Sequence, residues 1–287
     1  MTSPTFVRAG ACRLAAWPLP VASSGAADFV AVHGFLDHAG SFAPLAAALS
    51  ARSFWALDLP GHGASQDLGG RPYQFVDFVA DLVRALEALA PDPVVLVGHS
   101  LGAGLAAFAA ALAPERVGAL VLLDGLGPLV EPPEALPDRL ARALREEDRL
   151  RRAPPKIYPT VDDARRTFEA VRAELGPRAV DALLPGSLDR VRGGVRWAAD
   201  PLVRAPSRLR LTEAHVEAFL RRVACPVLVV EPERGILAKA GARAEARRAC
   251  LRQVERAEVP GGHHAHLERP EAVARAVASF VARRWNR

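Results

Sequence analysis

Cysteine is scarce in this 287-residue chain. Cys12, Cys225 and Cys250 are odd in number and far apart. They form no disulfide framework and match no zinc-ligand spacing, so a reducing, cytoplasmic setting is expected. Long apolar runs are missing as well: no stretch approaches the roughly 18 residues that a membrane span needs. Residues Met1 to Ala16 lack the basic start and apolar segment of a signal peptide. Lysine is nearly absent, and the formal charge of +5 and pI near 9.7 rest almost wholly on arginine. These arginines are dispersed and alternate with acids, as in Arg145-Glu146-Glu147-Asp148-Arg149. That is the pattern of a solvated helix face, and no nucleic-acid-binding motif accompanies it. Internal repeats and low-complexity linkers are absent too.

What is present is material for a large core. Half of the residues are hydrophobic, which suits one domain, or one domain carrying an insertion. Extended apolar segments alternate with helical ones, the rhythm of a parallel α/β sheet. Phe6–Val7 and Cys12–Trp17 read as an opening hairpin. Phe29–Val32, Ser53–Leu57, Val94–Val97 and Leu120–Leu123 read as buried strands, and Phe42–Leu49, Phe75–Leu89 and Leu101–Leu112 as the helices between them. The rhythm breaks from Pro128 to about Val223, where arginine- and glutamate-rich helices are expected around Leu136–Leu150, Val161–Leu175 and Leu211–Phe219, with no convincing buried strand. It resumes with a strand at Pro226–Val230, a helix near Ala238–Cys250, a strand at Val254–Val259 and a last helix at Glu271–Trp285. The expected organisation is a core of residues 1–127 and 224–287 with a helical cap, 128–223, set into it.

Three segments carry chemistry. Gly98-His99-Ser100-Leu101-Gly102 fits G-x-S-x-G and lies between an apolar strand and a small-residue helix. A sharp strand-to-helix turn there presents the Ser100 hydroxyl as a nucleophile, and the glycines remove side chains that would collide. The bland alternative is a glycine-rich turn with no chemistry. His33-Gly34-Phe35 follows the Phe29–Val32 strand. Acyl transfer needs two backbone N–H donors aimed at the oxyanion, and the amides of Phe35 and Leu101 are the candidates. His33 itself reads as a structural residue of that loop. Near the C-terminus, Gly262-His263-His264-Ala265-His266 follows a strand, and His263 is the candidate base. The three histidines lack a ligand set of recognisable spacing, so neither metal nor other cofactor is expected, and His264 and His266 read as packing or polar-rim residues.

Taken together, these residues resemble the α/β-hydrolase superfamily. The matched order is His33-Gly34, Asp58-Leu59-Pro60-Gly61-His62-Gly63-Ala64-Ser65, Gly98 to Gly102, and Gly262-His263 through Leu267-Glu268-Arg269-Pro270. His33 to Phe42, Leu122-Leu123-Asp124 and the segment Trp197 to Phe219 are similar to the serine hydrolase-like proteins and their bacterial relatives. The resemblance implies an α/β-hydrolase fold: a mostly parallel eight-stranded sheet, helices on both faces, and a helical cap between the sixth and seventh strands. It implies no substrate. The superfamily usually carries its acid just after the seventh strand, but here that position is Gly235, within Val230-Glu231-Pro232-Glu233-Arg234-Gly235-Ile236. Asp124, at the end of the sixth strand, is the preferred acid, with Glu233 and Glu231 as alternatives.

The expected activity is cleavage of a carboxylic ester or related small acyl compound through an acyl-enzyme, with no nucleic-acid partner. The same machinery serves an acyltransferase or a C–C bond hydrolase, and the fold also supports non-catalytic ligand binding.

Overall fold

The structure is a computed structural model that describes residues 3–285 apart from Ala11, Ser24, Ala26 and Ala27. Its centre is an eight-stranded sheet. In chain order the strands are β1 (Thr5–Ala9), β2 (Cys12–Pro18), β3 (Asp28–Val32), β4 (Ser53–Leu57), β5 (Val94–His99), β6 (Val117–Leu123), β9 (Val227–Arg234) and β10 (Val254–Gly262); β7 (Leu188–Val191) and β8 (Gly194–Trp197) form a separate hairpin. Across the sheet the order is β1-β2-β4-β3-β5-β6-β9-β10. β2 is antiparallel to both of its neighbours, and every other pairing in the sheet is parallel.

The uninterrupted apolar runs follow from burial on both faces. Successive side chains of a strand point to opposite sides. Val94 and Leu96 therefore join one core with Val30, Val32, Leu120 and Leu122, while Val95 and Val97 join another with Phe29, Ala31, Val121 and Leu123. Helices Phe75–Leu89 and Leu101–Leu112 cover the first face; helix Pro270–Arg284 and the short helix Ala43–Ala47 cover the second. Helix Leu101–Leu112 is built mostly of glycine and alanine, with Gly102 to Ala111 all buried. This lets it lie close to β5, and its one large ring, Phe108, stacks on Phe219 with centroids 3.9 Å apart.

The fold departs from the sequence expectation in three places. Residues 128–223, between β6 and β9 in the chain, contain the β7–β8 hairpin as well as helices Leu136–Arg152, Val161–Val171, Pro177–Leu183 and Glu213–Arg222. The hairpin turns at Gly193-Gly194, both with positive φ, and its strands are mostly half-buried, so no apolar run betrays them. The helix expected at Ala238–Cys250 is two, Ile236–Ala240 and Ala242–Ala249, broken where Gly241 takes φ 49°. The segment Phe42–Leu49 opens as a 3-10 turn, Ala39–Phe42, and is α-helical only over Ala43–Ala47.

Candidate active site

All parallel strands present their carboxyl ends at one edge, and in open α/β sheets ligands bind there. Three loops leave that edge from β3, β5 and β6. Each holds a non-glycine residue with positive φ: Leu36 (58°), Ser100 (52°) and Asp124 (44°), the only three such residues among those described. Side chains rarely adopt this conformation, which costs about 1–3 kcal/mol each and persists only where the surroundings impose it.

At Ser100 the surroundings are a tight strand-to-helix turn. The Ser100 N–H donates to the Leu123 carbonyl at 3.0 Å, and the Ser100 carbonyl accepts from Ala103 at the start of the helix. A Cβ on Gly98 would run into the Gly102 carbonyl, and one on Gly102 into the Val32 carbonyl. Both glycines are therefore demanded by the close approach of backbone to backbone. The Ser100 side chain is half-buried at the mouth of the turn.

His263 lies on the loop after β10. Its Nδ1 is 2.6 Å from Asp124 Oδ2. Asp124 sits at the end of β6 and is buried; its two carboxylate oxygens also accept the backbone N–H groups of Ile236 (2.8 Å) and Leu237 (2.9 Å). A Cβ on Gly235 would collide with the Asp124 carboxylate. The bare glycine after β9 is thus the complement of the acid after β6, since one carboxylate occupies the space that a side chain at 235 would need. The alternative acids lie elsewhere. Glu231 is held by Arg248 and by Arg256 at 2.6 Å, and Glu233 is exposed beside Arg234.

The loop after β3 carries the other group of polar side chains. His33 is fully buried; its Nδ1 donates to the Gly34 carbonyl at 2.7 Å and its Nε2 accepts the Leu59 N–H at 3.0 Å. Burial lowers its pKa to about 4, so it remains neutral in this role. Among the described residues, the Phe35 and Leu101 amides donate to no carbonyl. Asp58 is likewise structural: it accepts from Ala39 N, Ala64 N and Trp17 Nε1.

Sequence reasoning missed a buried network centred on Asp37. Its Oδ2 lies 3.3 Å from His264 Nε2 and 3.5 Å from His99 Nδ1, and its Oδ1 accepts from Arg172 at 2.7 Å. Burial alone would push this carboxyl up; the hydrogen bond from His264 and the charge of Arg172 outweigh it and hold the pKa well below the usual range. His99 in turn donates from Nε2 to the His263 carbonyl at 2.9 Å, which ties the Ser100 turn to the loop of the candidate base. Asp37, His99 and His264 bring one donor atom each within 4.8 Å of one another, a set that three-ligand metal sites also use. The Arg172 guanidinium against the carboxylate fits a hydrogen-bonded ion-pair network better than a cation site, because it already places a fixed positive charge there.

Of the two roles expected for His264 and His266, packing and polar rim, burial leaves packing. These residues are 6% and 1% exposed, and neither ring nitrogen of His266 finds a hydrogen-bond partner. Its ring packs on Phe42 and His99 instead. Burial drives the His266 pKa well down, as it lowers those of His62 to about 3 and His99 to about 4. An unfolded histidine titrates near 6.5. Between these values the unfolded chain binds more protons than the folded one, so stability falls as pH drops below about 6.5. Each pH unit costs up to about 1.4 kcal/mol per histidine held neutral. We therefore expect His266→Leu to raise the melting temperature, and the gain to be larger at pH 5 than at pH 8. A gain that does not grow on acidification would contradict the burial of a neutral imidazole.

Comparisons with known proteins agree with this architecture. Residues 29–270 match the family model described as alpha/beta hydrolase fold. The chain is 28% identical over 261 residues to a serine hydrolase-like protein of Danio rerio, covering 87% of this chain and 80% of that protein. It is 31% identical over 258 residues to the 2-(acetamidomethylene)succinate hydrolase of Mesorhizobium japonicum, covering 87% of this chain and 86% of the relative. The crystal structure of a hypothetical protein from Pseudomonas aeruginosa PAO1 superposes with a TM-score of 0.87 at 35% identity, over 98% of this chain and 100% of that one. With the family model spanning most of its length and hydrolases among its relatives, the chain belongs to the alpha/beta hydrolase fold family and is a hydrolase.

Proposed function

We propose that the protein cleaves a carboxylic ester or related acyl compound through an acyl-enzyme formed on Ser100. The observation that carries this reading is the 2.6 Å contact between His263 Nδ1 and the buried Asp124 carboxylate, at the sheet edge where Ser100 occupies its strained turn. With Nδ1–H donated to Asp124, the lone pair of His263 is on Nε2. In this reading Nε2 takes the Ser100 proton as Oγ attacks the substrate carbonyl. The amides of Phe35 and Leu101 receive the oxyanion. His263 then returns the proton to the leaving alcohol, activates a water by the same route, and the acid is released as Ser100 regains its proton. Among the described residues the Ser100 hydroxyl has no hydrogen-bond partner, and such contacts often tighten only when substrate is bound.

Residues 128–223 act in this reading as a cap over the site and form part of the acyl pocket. Support comes from their contacts with the catalytic edge: Leu267 packs among Phe168, Ala179, Val180, Leu183 and Leu184, and Gly176 N donates to Glu268 at 3.1 Å. No described helix is long and apolar enough to cross a membrane, and a small acyl compound fits the chemistry. The test is turnover of p-nitrophenyl esters of graded acyl length by the purified protein. Hydrolysis with a preference among chain lengths supports the reading, and no turnover of any ester or thioester counts against it.

The proposed mechanism uses no metal, so EDTA should leave ester turnover unchanged. Inactivation by the chelator, reversed by zinc, would mean that the Asp37–His99–His264 group serves as a metal site after all.

A further inference from the structure

We infer that Arg172 is a positioning residue: from the segment between β6 and β9 it clamps the turn that carries the Phe35 amide, and so sets the geometry of the oxyanion site. The inference rests on the reading of Phe35 as an oxyanion donor. It begins with the turn itself. The Gly34 carbonyl is held from two sides, by His33 Nδ1 at 2.7 Å and by the Asp37 N–H at 3.2 Å. A trans peptide points its N–H opposite to its carbonyl. Fixing the Gly34 carbonyl therefore aims the Phe35 N–H away from those donors, and it remains free to meet a ligand. The next residue, Leu36, stands at φ 58°, so the turn is strained and must be held.

Arg172 does the holding. One guanidinium nitrogen, Nη2, donates to the Phe35 carbonyl at 3.0 Å, and the other, Nη1, to Asp37 Oδ1 at 2.7 Å. A single planar group thus bridges two acceptors two residues apart, on either side of Leu36. Arginine alone among side chains presents a fork rigid enough to do this with a permanent charge. The bridge is also anchored at its far side, because Asp37 meets His264 and His99, and His99 meets the His263 carbonyl. The oxyanion turn, the Ser100 turn and the base loop are joined through Asp37, and the charge that balances Asp37 comes from outside the sheet core. Arg172 itself lies just past the end of helix Val161–Val171, with its guanidinium over the Phe168 ring at 5.2 Å.

A donor that is misaimed weakens binding of the transition state more than of the ground state. Arg172→Met should therefore lower kcat for a p-nitrophenyl ester by about ten- to a hundredfold, somewhat less than outright removal of an oxyanion donor, with KM changed by less than about threefold. Labelling of Ser100 by a fluorophosphonate should slow in parallel. Arg172→Lys keeps the charge but not the fork, and should recover only part of kcat. Asp37→Asn should lose little more when combined with Arg172→Met than either does alone, since both break one bridge. Melting temperatures accompany each variant; if the methionine variant fails to fold, the lysine variant carries the comparison. A kcat within twofold of wild type in a folded Arg172→Met protein, a loss confined to KM, or full additivity with Asp37→Asn would overturn the inference while leaving the serine-hydrolase reading intact. A wild-type protein that neither labels nor turns over any ester would overturn both.

Discussion

Ser100→Ala is expected to lower ester turnover by about 10⁴-fold or more while leaving the fold intact. Removing a member of a serine triad commonly has an effect of this order, and the remainder reflects binding and oxyanion stabilisation alone. The size of the effect follows from the role: without Oγ there is no acyl-enzyme, and His263 has no proton to accept. The fold should survive because the constraints of the turn lie in its backbone. The Ser100 N–H to Leu123 and the bonds from Ala103 and Gly104 to the Ser100 carbonyl do not involve the hydroxyl, and alanine has the same Cβ as serine. The positive φ of residue 100 costs alanine about what it costs serine. Ester turnover and circular dichroism on the same preparation check both halves; substantial turnover by the folded variant would remove Ser100 from its assigned place.

The second large effect concerns the acid. Asp124→Asn should cost most of the activity, on the order of 10⁴-fold, whereas Glu233→Gln should cost little. An amide at 124 can present N–H groups to His263 Nδ1 and so stabilise the tautomer whose Nε2 is protonated, which is the wrong one for a base. Asparagine is nearly isosteric, but its nitrogen would also face the N–H of Ile236 or of Leu237, both of which donate to the carboxylate in the wild type. Some stability should be lost with activity, so the rates must be compared on folded protein. Glu233 is exposed and lies 4.0 Å from Arg234, far less constrained than a group at the end of a central strand. Gly235→Asp is a useful third variant. Placing a carboxylate after β9 while Asp124 remains puts two acids in space built for one, so it should disrupt the site rather than strengthen it. If Glu233→Gln were the crippled variant and Asp124→Asn nearly normal, the acid would lie after β9.

The fold class could be read from the alternation of apolar runs with amphipathic stretches because the central strands are buried on both faces. Ser53–Leu57 and the helices Phe75–Leu89 and Leu101–Leu112 have the bounds expected of them. Elements whose signal is diluted by exposure were not legible. The β7–β8 hairpin mixes charged with apolar residues and leaves only Val195 buried, and helix Pro177–Leu183 is only seven residues long. The break at Gly241 is a backbone event that helical periodicity does not register.

Legibility of the candidate site divides along the same line. Ser100, His263 and the Phe35 loop stand in motifs whose local geometry is encoded within a few residues. The sequence prefers Asp124 as the acid but leaves Glu233 and Glu231 open, because no motif encodes that β6 lies beside β9 or that Gly235 faces the Asp124 carboxylate. Arg172 carried no signal at all. It is one arginine in an arginine-rich segment, and its partners Phe35 and Asp37 are 137 and 135 residues away. For His264 and His266 the sequence allows either packing or the polar rim; the short helix Ala265–Glu268 and the residue before it turn both inward, which leaves packing.

The most direct test of the central claim is the site at which a fluorophosphonate probe attaches, determined by mass spectrometry of the digested, labelled wild-type protein. The account predicts one adduct per chain, on Ser100, formed slowly or not at all when His263 is replaced by alanine. An adduct on another residue, or no adduct under conditions in which the protein hydrolyses esters, would contradict it.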